Sequence, residues 1–158
     1  WIWQGGIALA VVMFGDSVDG TLARMTTGGT RFGAFLDSTL DRLADGAVFG
    51  SLSAYAVFQM AESPVRTWAI IAGICSIVGA AAVPYARARA ESVGVVAKLG
   101  IAERTDRLIV GMGSAILMSL GLPKWVFAVG LTWVAFASFV TVCQRIWFTA
   151  RHIDEGAQ

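Results

Sequence analysis

Between Asp16 and Asp41 the chain reads DSVDGTLARMTTGGTRFGAFLDSTLD, with four aspartates and no glutamate. Asp16 and Asp19 are three residues apart, and Asp37 and Asp41 are four apart. On helices each spacing places both carboxylates on one face. The glycines of MTTGGT allow the chain to reverse, so the two pairs could face each other across an antiparallel helix contact. Four converging carboxylates repel one another unless they are protonated or share a cation, and a charge inside a membrane helix is costly. A divalent metal relieves the repulsion better than protonation. Oxygen-only ligands suit Mg²⁺ or Mn²⁺, and Mg²⁺ commonly shares its shell with substrate phosphates. Two ions about 3.5–4 Å apart would suit four carboxylates.

The neighbouring residues point the same way. Gly20 and Ala23 keep the face beside Asp19 small, and Gly33 does so one turn before Asp37. Arg24 is placed to donate to a phosphate. Together these features suggest phosphoryl chemistry on a diphosphate substrate. Single aspartates could instead cap helices or pair with Arg24, Arg31 or Arg42; Asp45 continues the Asp37–Asp41 face and could pair with Arg42 or with a neighbouring helix.

The elements that must carry these groups are membrane helices. The 158 residues are 56% hydrophobic and only 15% charged, where a soluble domain is roughly one quarter charged. Mean hydropathy is +0.68. A span needs about 20 apolar residues, and five stretches qualify or nearly so: 1–22, 33–60, 66–86, 108–122 and 125–148. The expected fold is an all-α integral membrane bundle in a single domain, 1–158. The apolar start WIWQGG is read as an N-terminal truncation that enters partway through a span, not as a signal peptide. The longest polar link is expected over Arg87 to Arg107. Trp125 and Trp147 read as interface anchors.

Basic residues are lopsided. Arg24, Arg31, Arg87, Arg89, Lys98, Arg104, Arg107, Arg145 and Arg151 fall on one side, with only Arg66 and Lys124 opposite. The richer side marks the cytoplasmic face, and the aspartates share it. A net charge of +1 gives no field for nucleic acid. Cys75 and Cys143 lack metal-ligand spacing, and the single histidine, His152, lies in the polar tail, which argues against histidine-based catalysis.

The pattern Asp16-x2-Asp19-Gly20-x2-Ala23-Arg24-x8-Gly33-x3-Asp37-x3-Asp41 resembles the signature of the CDP-alcohol phosphotransferases at each fixed position. That resemblance implies six spans, of which the first is missing here or supplied by another segment, and a homodimer. It implies two divalent cations, Mg²⁺ or Mn²⁺, held by Asp16, Asp19, Asp37 and Asp41, with Asp41 also the general base. Gly20, Arg24 and Thr30 would contact the CDP group. The stretches YARARAES, ERTDRLIV and CQRIW are similar to the actinobacterial phosphatidylinositol-phosphate synthase branch of that family. Its members transfer diacylglycerol phosphate from CDP-diacylglycerol to inositol 1-phosphate and release CMP. By that likeness Arg87, Arg89, Arg104 and Arg145 would bind the acceptor's phosphate at the cytoplasmic surface of the cell membrane. The same arginines could serve as positive-inside anchors to lipid headgroups.

Three rival readings differ in kind. A phosphatidylglycerolphosphate synthase would share the signature and take glycerol 3-phosphate. A membrane prenyltransferase would also use aspartates and Mg²⁺, but usually with two separated motifs. A cation transporter would explain the carboxylates but not an arginine beside the cation path.

Overall fold

The structure is a computed structural model that describes residues 30–101 and 103–153. Those residues form four helices: α1 (Arg31–Gln59), α2 (Pro64–Ser92), α3 (Arg104–Ser119) and α4 (Lys124–His152). The expected span 1–22 lies outside the described residues. The chain divides into two compact units, Trp1–Ala44 and Asp45–Gln158, and the division falls within α1.

Local chemistry sets the helix ends. Thr30 caps α1, with its hydroxyl accepting the Gly33 amide N–H at 3.0 Å. Ser63 does the same for α2 by accepting from Arg66 N at 3.2 Å, and Pro64 follows at the first helical position. The Asp106 carboxylate accepts the Glu103 amide at 3.1 Å and fixes the start of α3. Gly94 and Gly121, with φ of 84° and 102°, follow the ends of α2 and α3.

Two corrections follow for the sequence boundaries. The polar link is shorter than expected, because α2 continues through Arg87 and Arg89 to Ser92. YARARAES is rich in good helix formers, and the Arg87 guanidinium pairs with Glu91 one turn on, Nε to Oε1 at 2.9 Å. The fourth span moves toward the N-terminus: α3 holds 16 residues, Arg104–Ser119. At 1.5 Å per residue it reaches only about 24 Å, short of the roughly 30 Å apolar layer. Among the described residues, α2 and α4 are long and apolar enough to cross a membrane. The 29-residue α1 has the length, but Asp37, Asp41, Arg42 and Asp45 crowd its first half.

In the Asp45–Gln158 unit, α4 packs against both α2 and α3. The buried stripe of α2 is small: Ala69, Ala72, Gly73, Ser76, Gly79, Ala80 and Val83. On α4 it runs through Phe127, Gly130, Leu131, Val134, Ser138 and Thr141. Where water is absent, helix association draws on close packing and interhelical hydrogen bonds rather than on hydrophobic exclusion. Both occur here. Ser76 Oγ donates to the Leu131 carbonyl at 2.9 Å, and Trp68 Nε1 donates to Thr132 Oγ1 at 2.9 Å. Outward-facing Ile71, Ile74 and Val78 on α2, and Trp133, Phe136 and Phe139 on α4, are exposed as a lipid-facing surface requires.

The closeness of α1 to α2 depends on Gly73, where an added Cβ would lie 2.3 Å from Ser53 Oγ and 3.2 Å from Ser53 Cβ. Gly73→Ala is expected to lower the stability of the detergent-solubilised protein by about 1–3 kcal/mol, the usual penalty of overpacking. Ser53→Gly in the same chain is expected to recover most of it, as read by thermal unfolding.

Candidate functional site

The four aspartates divide between described and undescribed parts of the chain. Asp16 and Asp19, together with Gly20 and Arg24, lie outside the described residues. Asp37 and Asp41 sit one turn apart on α1, Asp37 exposed and Asp41 half-buried. The Arg42 guanidinium lies 3.7 Å from Asp41 Oδ2. Among the described residues no three carboxylate, imidazole or thiol groups converge as a metal site. The donor set nevertheless fits a hard divalent cation, because Asp37 and Asp41 offer oxygens alone from one rigid helical face. Thr30 and Gly33 belong to the same turn: Thr30 Oγ1 is the α1 cap, and a Cβ at Gly33 would come within 3.2 Å of it.

The basic residues sort into two groups within the Asp45–Gln158 unit. Arg87 and Arg145 line a cavity of about 180 Å³ with Lys98, Leu99, Gly100 and Glu103. Arg89 is exposed at the last turn of α2 and is not part of that lining. Arg104 is also absent from it. Its Nε instead donates to Asp45 Oδ1 at 2.9 Å, while Arg107 Nη2 lies 3.5 Å from Asp45 Oδ2. Of the two partners open to Asp45 from sequence, the neighbouring helix is the one it takes.

The cavity is built by Arg145. From α4 its Nε donates to the Leu99 carbonyl at 2.9 Å, and its Nη1 donates to the Val83 carbonyl at 2.6 Å. One guanidinium thereby joins α4, α2 and the 93–103 connection. Five N–H donors in a fixed fork allow that and still leave donors for a ligand. Gly100 presses the connection onto α4. Its φ is +149°, and a Cβ there would stand 2.3 Å from Thr141 Cγ2. Arg87 is steadied by Glu91, with only its Nε committed. The lining carries three cations and one carboxylate, a net charge of +2. That balance matches a phosphate monoester, which carries about −1.5 to −2 at pH 7.

Lys98 and Glu103 were not singled out by the sequence reading as site residues. Lys98 counts toward the basic face, and Glu103 opens the ERTDRLIV stretch, but neither spacing marks a lining residue. The available signal was indirect: both flank Gly100, whose unusual φ folds the connection back on α4.

Comparison with known proteins agrees with the signature. Residues 1–142 match the family described as CDP-alcohol phosphatidyltransferase. The chain is 39% identical over 148 residues to the phosphatidylinositol phosphate synthase of Mycolicibacterium smegmatis, covering 92% of this chain and 64% of that protein. It is 35% identical over 161 residues to the phosphatidylinositol phosphate synthase of Mycobacterium tuberculosis, covering 99% and 72%. The chain thus spans slightly less than two thirds of the Mycolicibacterium smegmatis relative. The crystal structure of the Mycobacterium tuberculosis synthase with CDP-DAG bound superposes with a TM-score of 0.82 at 35% identity, covering 94% of this chain and 73% of that one. The same synthase in complex with manganese and citrate gives 0.82 at 34% identity, covering 94% and 70%.

Arg145→Lys keeps the charge but loses the fork that reaches two carbonyls. It is expected to loosen the cavity wall by about 1.5–3 kcal/mol, the scale of one charge-assisted hydrogen bond. Hydrogen–deuterium exchange at residues 95–101 should rise, with exchange in the middle of α2 unchanged. Equal exchange in both proteins would contradict the bracing role.

Proposed function

This chain belongs to the CDP-alcohol phosphatidyltransferase family, and from that premise we propose that it transfers diacylglycerol phosphate from CDP-diacylglycerol to inositol 1-phosphate. The products are phosphatidylinositol phosphate and CMP. The observation that carries the acceptor half is the cavity lined by Arg87, Lys98 and Arg145. Its charge suits a phosphorylated alcohol and would be wasted on a neutral one. The donor half draws on the signature and on the CDP-DAG held by the Mycobacterium tuberculosis relative.

Asp16, Asp19, Asp37 and Asp41 would hold two divalent cations, Mg²⁺ or Mn²⁺; manganese is the ion named for the Mycobacterium tuberculosis relative. When bound, such ions neutralise a diphosphate and make its phosphorus open to attack. Gly20, Arg24 and Thr30 would receive the CDP group. The acceptor's phosphate would be gripped by Arg87, Lys98 and Arg145, with Arg89 and Arg104 adding positive potential, so that its alcohol is oriented for attack. Asp41 would take the hydroxyl proton as the new oxygen–phosphorus bond forms. The bond from phosphorus to the CMP oxygen breaks, and its electron pair leaves with CMP. The site would face the cytoplasm at the cell membrane, and the working form would be a homodimer.

Asp41→Asn is expected to cut CMP release by about a hundredfold or more, the range of general base catalysis, while CDP-diacylglycerol still binds. Retained turnover would remove Asp41 from the base role. Arg87→Ala and Arg145→Ala should raise the KM for inositol 1-phosphate more than the KM for CDP-diacylglycerol, whereas equal shifts would reduce these arginines to general electrostatics. The deciding assay measures CMP release with inositol 1-phosphate against glycerol 3-phosphate, with Mg²⁺ and after chelation. Faster turnover with glycerol 3-phosphate would reassign the acceptor, and turnover that survives chelation would overturn the metal assignment.

A further inference from the structure

Recognition of a phosphate does not call for a carboxylate, yet Glu103 lines the cavity together with Arg87, Lys98 and Arg145. Its charge attracts Arg145 and so weakens the field that an anion would meet there. What Glu103 adds is the opposite hydrogen-bonding sense. Arginine and lysine side chains only donate, and leucine and glycine bring no polar side chain. Among the described residues, Glu103 is therefore the one side chain lining the cavity that accepts. The Leu99 carbonyl on the same wall already takes Arg145 Nε at 2.9 Å.

The start of α3 holds Glu103 in place. Its amide N–H donates to Asp106 Oδ2 at 3.1 Å, and its side chain faces the Asp106 amide as the other half of a capping box. Capping alone does not call for glutamate, since Ser, Thr, Asp and Asn are the favoured residues at that position. A carboxylate offers about four lone-pair sites, so a cap leaves acceptors for a ligand. The residue is exposed, which opens those acceptors to the cavity. The volume of about 180 Å³ holds about six groups of water size, at roughly 30 Å³ each, more than a phosphate head alone would fill.

We propose, resting on the acceptor reading above, that Glu103 is a specificity-determining residue: its carboxylate accepts hydrogen bonds from the ring hydroxyls of a polyhydroxylated alcohol phosphate, while Arg87, Lys98 and Arg145 hold the phosphate. An alcohol with few spare hydroxyls leaves that carboxylate without a donor and close to a second anion. The cavity thereby disfavours small alcohol phosphates that the cations alone would accept.

The test measures equilibrium binding of inositol 1-phosphate and of inorganic phosphate to the full chain and to its Glu103→Ser variant. Serine keeps a favoured helix cap while removing the carboxylate. The Kd of inositol 1-phosphate is expected to rise about tenfold, the scale of one hydrogen bond to a charged group. The Kd of inorganic phosphate, which has no ring hydroxyl, should stay the same or fall, because an anion has left the cavity. A Glu103 that serves only as a cap would weaken both ligands, and one that acts only through its charge would tighten both; either result overturns the proposal. Glu103→Gln, which keeps the length and one acceptor oxygen, should lie between the unaltered protein and Glu103→Ser. The ratio of kcat/KM for inositol 1-phosphate over glycerol 3-phosphate should fall in the same order, and an unchanged ratio would count against hydroxyl recognition. The expected binding pattern without CMP release removes the transfer reaction and keeps the assignment of Glu103. Inositol 1-phosphate binding no tighter than inorganic phosphate in the unaltered protein overturns the acceptor reading and this assignment together.

Discussion

Charge in an apolar helical bundle must be answered by a partner, and the identity of each partner sorts this chain's ionisable residues into roles. Asp45 is answered from within the protein by guanidinium groups of Arg104 and Arg107. Arg145 is answered by backbone carbonyls, which hold it without cancelling its charge. A guanidinium neutralised by a carboxylate would present a weaker field to an anion than one anchored on neutral dipoles.

The same economy governs the backbone. Two carbonyls serve Arg145, from α2 and from the 93–103 connection, so the residue that gives the cavity its charge also gives it shape. Small residues make that possible. Gly79 meets Ser138 and Gly130 meets Ser114, which brings α4 close to α2 and to α3. Larger side chains at those positions would hold the helices apart, and the reach from Arg145 to Val83 would fail. Packing at the middle of the bundle therefore sets the position of charges at its end.

Much of this was legible in the sequence, for reasons that differ by residue. The 29-residue helices α2 and α4 announce themselves by apolar length, and the start of α2 by Pro64. The pairing of Asp37 with Asp41 on one face follows from helical spacing alone. The extension of α2 through Arg87 and Arg89 was missed, because charge was read as the end of a span when the helix simply continues into the polar layer. The partner of Asp45 was left open, since an ion pair across 59 positions of sequence has no local signal. Lys98 and Glu103 were hidden for the same reason: they meet the cavity only because Gly100 adopts a φ of +149° against Thr141.

The arrangement also accounts for a division of labour along α1. Its first half carries the carboxylates of the family signature, on residues that remain exposed or half-buried. Its second half, from Asp45 onward, is packed by Val48, Phe49, Ser53 and Ala56. That second half is gripped within the Asp45–Gln158 unit. Phe49 against Gly111 and Ser53 against Gly73 supply that grip through contact. Asp45 adds to it through charge, at the first buried position after the signature ends. A hydrophobic residue there would pack at least as well, yet the buried Arg107 would lose a charged partner.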